Sequence, residues 1–483
     1  MRCRGPVPIL LLGIAWVFGC AVGPDYERPA IETPGVYHSP LAPAELEPAE
    51  AASLADLPWW DVYREPAIAA LIALAIEQNY DLRLAAARVE AALQQQYAVR
   101  SAFFPQIDYE GAGRRARLPL TDLVGDRNYV NRFKGMFDAA WELDVWGRIR
   151  RADEAARAQL LGTEEFRRGV LLSLVSEVAS TYFNLLTVDR QLVIARETKQ
   201  AFEKTLELFE RKYQRGAGSK LDVERARANV ADAAATIPLL ESQRVAVENQ
   251  LSILIGQNPE AIPRGAGLEA QRLPVAPPGL PSELLERRPD VLQAEQAMVA
   301  ANAAVGVATA NFFPRIGLTA FWGGSSDELR DIVDQGARAW SFGAGLTGPI
   351  FQGGLLLAQY REQQAIWEEA TARYEKTVIE AFADVSNALT AQKSLAEQRV
   401  QRALQVEALE ASVRLSLSRY EQGLASYFEV VDSQQRLFPA QLDLAETRRD
   451  ELDASVQLYR ALGGGWKLGP NWVRPSPVPA PTP

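Results

Sequence analysis

The sequence repeats itself, and this duplication limits the possible folds more than any other feature of the 483 residues. Gly216 and Gly423 lie 207 positions apart. Offsets of 207 to 209 relate further pairs: Tyr213 with Tyr420, Phe-Phe-Pro at 103–105 with 312–314, and the runs 251–256 with 458–463. Chance similarity between Ala-rich helices does not produce an ordered series at nearly one offset. We therefore expect two repeats in one interleaved architecture, although length alone would suggest about three domains.

Each repeat contains a tight reversal between two long helices. In the second repeat, Gly423 suits the left-handed residue that ends a helix, and Ser426 with Glu429 forms a capping box that begins the next helix. The first repeat carries the matching residues Gly216, Ser219 and Asp222. The sequence therefore predicts tip turns at about 213–219 and 420–426.

Long helices precede both tip turns. Residues 148–213 and 355–420 lack proline, and their apolar side chains recur at spacings of three and four. About 65 residues at 1.5 Å per residue give a rod of roughly 100 Å, which is longer than one globular core needs. Shorter helices are predicted at 67–77, 81–102, 219–255, 290–311 and 426–462. Their polar surfaces suit coiled-coil packing between antiparallel neighbours.

After each Phe-Phe-Pro the hydrophobic period changes from helical to alternating, which predicts β-hairpins at about 103–145 and 312–350. One face is apolar and the other is polar or small, and the loops at about 114–128 and 323–338 are long and charged. This pattern is typical of transmembrane β-hairpins. Lipid does not tolerate an open sheet edge, and four strands cannot close a barrel, so three copies would supply twelve strands around a pore. Two soluble hairpins packed on helices are the alternative.

The N-terminus has the features of an export signal. Residues 1–4 are basic and 7–18 form an apolar run that is too short to span a bilayer. The sequence Val-Phe-Gly-Cys at 17–20 resembles a bacterial lipobox, so we expect a signal peptide at 1–19 and a lipid on Cys20. A plain signal peptide is the alternative. The following Pro- and Glu-rich residues, up to 58, are predicted to form an extended strap.

Several functional classes are disfavoured by composition. The net charge of −10 is not accompanied by a basic stripe, so nucleic acid is not an expected partner. One histidine, His38, is expected at the surface, and no mature thiol or carboxylate cluster accompanies it, so we predict neither an enzyme nor a metal site. Three methionines are too few for a copper-binding ladder. The only expected prosthetic group is the covalent lipid on Cys20.

Three separated motifs resemble those of a known family. They are CAVGPDYERP at 20–29, LPSELLERRPDV at 280–291 and LYRALGGGW at 458–466. The chain resembles, over nearly its whole length, the TolC-like and OprM-like outer membrane factors of the NodT type. These proteins are channel lipoproteins of tripartite efflux systems.

The resemblance implies an α+β membrane protein that forms a homotrimer. Each chain would contribute four strands to a twelve-stranded outer-membrane β-barrel and long helices to a periplasmic α-barrel. The implied domains are a lipidated strap at 20–58, repeats at 59–256 and 290–463, and equatorial segments at 257–289 and 464–483. The implied partners are outer-membrane lipid, a periplasmic adaptor and an inner-membrane pump of the resistance-nodulation-division type. Drugs or other toxic compounds would pass through unchanged.

The resemblance also implies a gate at the periplasmic tip. Phe428 would form an apolar ring and Asp432 an acidic ring that favours cations, while Tyr420 would hold the helices together. The spacing agrees, because positions 428 and 432 share one helix face. Gln435 stands where relatives often carry arginine, and Arg225 is the counterpart of Asp432 in the first repeat. An ordinary solvated helix residue is the alternative for Asp432.

Two other functions remain open from the sequence. The chain could be the outer-membrane duct of a type I protein secretion system, which would share the same architecture. A lipid-anchored periplasmic coiled-coil scaffold would explain the helices but not the hairpins.

Overall fold

A computed structural model describes residues 21–39, 56–117, 129–272 and 281–465. The signal peptide, Cys20 and residues 466–483 of the predicted tail therefore lie outside the described residues. The chain divides into two compact units, each assembled from separate segments. Among the described residues, the hairpin unit comprises 21–30, 87–117, 129–164 and 293–375, and the helical unit comprises 31–39, 56–86, 165–272, 281–292 and 376–465. Both halves of the sequence contribute to both units.

The predicted helices are present, with ends within a few residues of those expected. Seven long helices lie in the described residues: α1 Pro66–Gln78, α2 Tyr80–Arg100, α3 Arg148–Gln214, α4 Lys220–Leu254, α5 Pro289–Ala310, α6 Leu355–Glu421 and α7 Tyr427–Ala461. Single helical turns occur at Trp59–Val62 and Leu284–Arg287, and 3-10 turns occur at Ser101–Phe103, Leu268–Ala270 and Pro281–Glu283. The helices α3 and α6 each contain 67 residues. Their equal length follows from the duplication.

Both predicted hairpins form and join in one antiparallel sheet. The strands are β1 Gln106–Arg117, β2 Tyr129–Leu143, β3 Arg315–Ser326 and β4 Arg338–Thr347, in the spatial order β1-β2-β3-β4. The second loop is shorter than predicted, because residues 323–326 extend β3 and pair with 133–136 of β2. Two 3-10 turns, Leu329–Val333 and Gln335–Ala337, occupy the remaining loop. Ladder pairing with β2 outweighs the low strand propensity of the glycines.

The helical unit has one large apolar core. Part of α3 supplies its centre, where Tyr182, Phe183 and Leu185 are fully buried. One stretch of α3 is apolar enough to cross a membrane by composition, but 61% of it is buried, as expected for a core helix. The ends of α4 and α7 and all of α1 pack against the same core.

The described parts of the predicted equatorial segment, 257–272 and 281–289, belong to this unit, and Arg288 anchors the second part. Arg288 is nearly buried and pairs with Asp290 at 2.6 Å and Asp384 at 3.0 Å. It also donates a hydrogen bond to the carbonyl of Ala461 at the end of α7. Burial of a guanidinium is tolerated only with such partners, so this motif ties the segment between the repeats to the second repeat.

Candidate functional site

The register of the sheet separates apolar and polar side chains onto two faces. One face, called the apolar face, carries Ile107, Tyr109, Phe137, Ala139, Trp141, Leu143, Ile316, Leu318, Ala320, Trp322, Trp340, Phe342, Ala344 and Leu346. The other face, called the polar face, carries Asp108, Glu110, Arg114, Arg132, Lys134, Asp138, Glu142, Thr319, Ser325, Ser341 and several glycines, and its large apolar residues include Met136 and Phe321. The predicted alternation is therefore confirmed, and it continues in register across all four strands.

An aromatic row crosses the apolar face at one height. Tyr109 faces Phe137, Phe137 faces Trp322, and Trp322 faces Trp340. The rings of Phe137 and Trp322 stack with their centroids 6.4 Å apart. All four side chains are exposed on the single chain. Such a girdle is typical of the interfacial region of a membrane barrel.

The polar face contains like charges directly opposite each other. Asp108 pairs with Asp138 near the helix-joined end of the strands, and Arg114 pairs with Arg132 near the loop-joined end. Between them Lys134 forms an ion pair with Glu110. Directly opposed like charges destabilise a sheet unless they are solvated. This face is therefore suited to water, and the charge arrangement could not be found without the register.

Both outer edges of the sheet are open. Within the described residues β1 pairs only with β2, and β4 pairs only with β3. Unpaired edges are not stable in lipid, and four strands are too few to close on themselves. The edge groups of β1 and β4 therefore need backbone partners that this sheet does not supply.

The strap begins at the junction between β2 and α3. A side chain on Gly147 would lie 2.6 Å from the Cα of Ala21, and the amide of Val22 donates a hydrogen bond to the carbonyl of Trp146 at 3.0 Å. Asp25 forms an ion pair with Arg151 at 2.6 Å. The residue that follows Cys20 is thus fixed beside the helix-joined end of the strands.

A second set of contacts holds the strap against α5. Glu295 accepts hydrogen bonds from the Tyr26 hydroxyl at 3.0 Å and from Arg28 at 2.6 Å. Burial, followed by the charge of Glu295, raises the pKa of Tyr26 above its ordinary value. The Tyr26 hydroxyl therefore stays protonated and remains a hydrogen-bond donor. His38, further along the strap, is exposed as predicted.

The two tip turns have the predicted backbone. Gly216 has a φ of 73° and Gly423 a φ of 76°, and the amide of the residue after each glycine donates a hydrogen bond to the carbonyl five residues earlier. Ser426 and Glu429 form the expected capping box. Ser219 also caps its helix, but it accepts from the amide of Leu221 at 3.1 Å.

One prediction for the first turn is wrong. Asp222 forms no capping box with Ser219 in the described structure. The charge of Asp222 acts instead on two tyrosines of the second turn, Tyr420 and Tyr427. Both repeats therefore meet at the tip, and Asp222 contributes to that contact rather than to its own helix start.

An aromatic cluster joins the two turns. The ring of Phe209 lies 5.1 Å from that of Tyr420 and 4.6 Å from that of Tyr427, both edge to face. The Lys212 ammonium lies 3.7 Å from the centre of the Tyr420 ring. Burial, followed by the charge of Asp222, raises the pKa of Tyr427 to about 12. Its hydroxyl is buried and has no hydrogen-bond partner among the described residues.

The predicted gate side chains lie just beyond this cluster on α7. Phe428 is 69% exposed, whereas its neighbour Tyr427 is 7% exposed. Asp432 forms an ion pair with Arg436, one turn along the helix, at 3.0 Å. Sequence reasoning missed Arg436, although the i,i+4 spacing of opposite charges could have indicated it.

Two further residues in this region do not form a salt bridge that could lock the tip. Gln435 donates a hydrogen bond to the side-chain oxygen of Asn229 on α4 at 2.9 Å, so a neutral amide pair links the two return helices. Arg225 forms no ion pair with Asp432 in the described structure. In the described residues no group of three or more His, Cys, Asp and Glu side chains is placed to hold a metal ion.

Comparison with known proteins agrees with this geometry. The sequence pattern of the family described as "Outer membrane efflux protein" matches the chain twice, over residues 71–257 and 280–464. Among similar proteins, the solvent efflux pump outer membrane protein SrpC of Pseudomonas putida is 36% identical over 469 residues, which cover 96% of this chain and 98% of that protein. The outer membrane protein OprJ of Pseudomonas aeruginosa is 34% identical over 459 residues, which cover 94% and 95%.

Solved structures of similar proteins share the fold. The outer-membrane channel OprN is 30% identical with a TM-score of 0.83, and the match covers 92% of this chain and 100% of that one. The open state of the MtrE outer membrane channel of Neisseria gonorrhoeae is 29% identical with a TM-score of 0.84, and the match covers 93% and 99%.

Proposed function

The chain belongs to the outer membrane efflux protein family, and from this premise we propose that three copies form the exit duct of a tripartite efflux system. The protein is located in the outer membrane of a Gram-negative bacterium. Small toxic compounds pass through the duct without chemical change. The apolar face of the sheet meets lipid, and the polar face lines the lumen.

The observation that carries this proposal is a four-stranded sheet with one apolar face and two open edges. The apolar face requires lipid, because the described chain leaves its large side chains exposed. The open edges require other copies of the chain, since lipid cannot satisfy backbone groups. A coiled-coil scaffold needs neither feature.

The proposed partners are a periplasmic adaptor and an inner-membrane pump of the resistance-nodulation-division type. Similar proteins are named as the outer membrane components of solvent, toluene and antibiotic efflux pumps, which supports a role in small-molecule efflux over protein secretion. A duct supplies no driving force of its own, so an inner-membrane partner must supply it.

We further propose that the tip formed by the two turns is the gate. Three copies of the exposed Phe428 ring would narrow the passage, and three copies of Asp432 would favour cations. The ion pair with Arg436 offsets part of the Asp432 charge in each copy. The neutral Gln435–Asn229 pair joins helices within one copy without a charge-dependent latch.

Lipidation of Cys20 completes the proposal. Because Ala21 is fixed against Gly147, a lipid on the preceding residue would enter the membrane beside the helix-joined end of the strands. The lipid would then add a second hold on the membrane for each copy.

A pair of substitutions on adjacent residues of β4 tests the orientation of the sheet. Phe342 lies on the apolar face and Ser341 on the polar face. Arginine on a lipid-facing position costs up to about 2–4 kcal/mol, whereas a lumen position tolerates charge. We expect Phe342→Arg to reduce the outer-membrane trimer strongly and Ser341→Arg to leave it intact, as measured by non-denaturing electrophoresis of membrane fractions.

Planar-bilayer recording then tests the duct itself. Purified trimers should give discrete conductance events, and the Ser341→Arg variant should shift their preference from cations toward anions. Equal tolerance of both substitutions together with an absence of conductance would refute the duct and favour the scaffold.

A further inference from the structure

A row of glycines crosses the apolar face just beyond the aromatic row. Gly111 faces Gly135, and Gly135 faces Gly324, so three neighbouring strands lack a side chain at the same height. This row lies on the side of the aromatic row that leads to the hairpin loops. Because glycine has no side chain, the row leaves a trench in a surface that is otherwise covered by apolar groups.

The loop between β3 and β4 covers part of this trench. A side chain on Gly324 would lie 2.0 Å from the carbonyl oxygen of Ile332, and one on Gly135 would lie 3.4 Å from the Cδ1 atom of Ile332. Within the single chain, the trench remains open at β1, where no described atom lies within 4 Å of the position of a Gly111 side chain. The result is a groove with a floor, a roof and one open end.

Apolar and glycine residues make up most of the lining of the groove, which also includes Glu110 and Arg338. Its volume of about 430 Å³ is within the range of small-molecule sites, and its lining includes Tyr109, Phe137 and Trp322 from the strands and Ile332 and Val333 from the loop. Val333 is 75% exposed, so the roof itself presents an apolar surface.

Arginine residues lie at the end of the groove that is nearest to the hairpin loops. Arg338 continues the glycine row on β4, and it has no ion-pair partner in the part of the chain that the structure describes. Arg115 and Arg117 lie two and three rows further toward the loops on the same face, beside the Tyr129 ring. Interfacial arginines above an aromatic girdle are at the level of lipid headgroups.

We propose that this groove binds one hydrocarbon chain of an anionic lipid of the outer leaflet, with Arg338 pairing with a phosphate of its headgroup. The inference rests on the proposed duct, in which the Cys20 lipid enters the membrane beside the helix-joined end of the strands, and it places the hairpin loops at the opposite end, facing the cell exterior. A lipid is the occupant that fits, because the groove opens on the lipid-facing surface and the phosphate matches the fork of an arginine. The contact would also hold the loop down against the barrel.

The chain offers matched variants for each half of the proposal. Gly111→Leu fills the open end of the groove, and Gly345→Leu is its control, because Gly345 lies on the polar face with no described atom within 4 Å of a new Cβ. Arg338→Gln removes the proposed phosphate contact. Its control is Arg330→Gln, since Arg330 lies in the same loop but already pairs with acidic neighbours.

Native mass spectrometry of the detergent-purified trimer, mixed with lipid A or with phosphatidylcholine, measures the binding. We expect the parent protein to retain up to about three lipid A molecules per trimer and little phosphatidylcholine. Gly111→Leu and Arg338→Gln should lower the retained lipid A roughly fivefold or more, and the two controls should not change it. All variants are first checked for trimer formation by electrophoresis.

Three results would overturn the proposal. Equal retention by Gly111→Leu and Gly345→Leu would mean that only annular lipid is bound. Equal retention of both lipids, with no effect of Arg338→Gln, would remove the headgroup contact. Displacement of lipid A by an equal number of toluene molecules would assign the groove to apolar solutes. None of these results depends on conductance, so failure here leaves the duct itself unaffected.

Discussion

Replacing Phe428 with alanine is expected to widen the tip without unfolding it. Full burial of a phenylalanine contributes about 1.5–3 kcal/mol, so a ring that is 69% exposed contributes less than about 1 kcal/mol within one chain. The adjacent Tyr427 is 7% exposed and contacts Phe209, so Tyr427→Ala should cost about 3–5 kcal/mol. A comparison of the two variants therefore distinguishes a side chain that lines the lumen from one that stabilises the packing of the helices.

The assay combines single-channel conductance in planar bilayers with the melting temperature of the trimer. Phe428→Ala should increase conductance roughly twofold or more, because a hydrophobic constriction excludes water and ions. The double change with Asp432→Ala should increase it further, because it also removes the acidic ring. The melting temperature of Phe428→Ala should fall by no more than about 2–4 °C.

The result that would refute this reasoning is specific. If Phe428→Ala lowers the melting temperature as much as Tyr427→Ala does while conductance stays unchanged, Phe428 is a packing residue between copies. In that case the gate lies elsewhere along the passage.

Three further predictions concern the tip, the repeat junction and the anchor. Tyr427→Phe should stabilise the trimer at pH 11 relative to the parent. The pKa of the Tyr427 hydroxyl is raised to about 12 in the folded protein, so its contribution to the free energy of unfolding is complete below pH 10 and is lost as the pH rises toward 12. Melting curves of both proteins at pH 8 and pH 11 measure the difference, which should be about 1 kcal/mol per copy. Gly423→Ala should cost about 1 kcal/mol for its positive φ, whereas Gly256→Ala should cost clearly more in urea unfolding, because its new Cβ would also lie 2.4 Å from a backbone oxygen. Cys20→Ser should abolish incorporation of radioactive palmitate while the trimer stays in the outer membrane, and loss of the trimer would show that the lipid is needed for assembly.

The features predicted correctly from the sequence depend on neighbouring residues. A glycine after a polar helix, followed by serine and an acidic residue, specifies a turn within about ten positions, and the tip at Gly423 and Ser426 has that form. Strand alternation is equally local, so the two faces of the hairpins could be predicted without their partners.

The features that were missed depend on pairing between distant segments. The extension of β3 through 323–326 follows from its ladder with β2 and not from its glycines. The opposition of Asp108 and Asp138 is visible only in the register, because either residue alone is an ordinary polar strand position. Asp222 similarly reaches tyrosines 198 and 205 positions away in the sequence.

The open edges of β1 and β4 have a genetic consequence. Each barrel is built from three identical contributions, so one faulty copy interrupts the ring even when its two companions are sound. A plasmid-borne allele with a damaged edge should therefore sensitise a strain that still carries an intact gene. If the damaged allele is recessive in such a merodiploid, faulty protomers must be excluded before the trimer assembles.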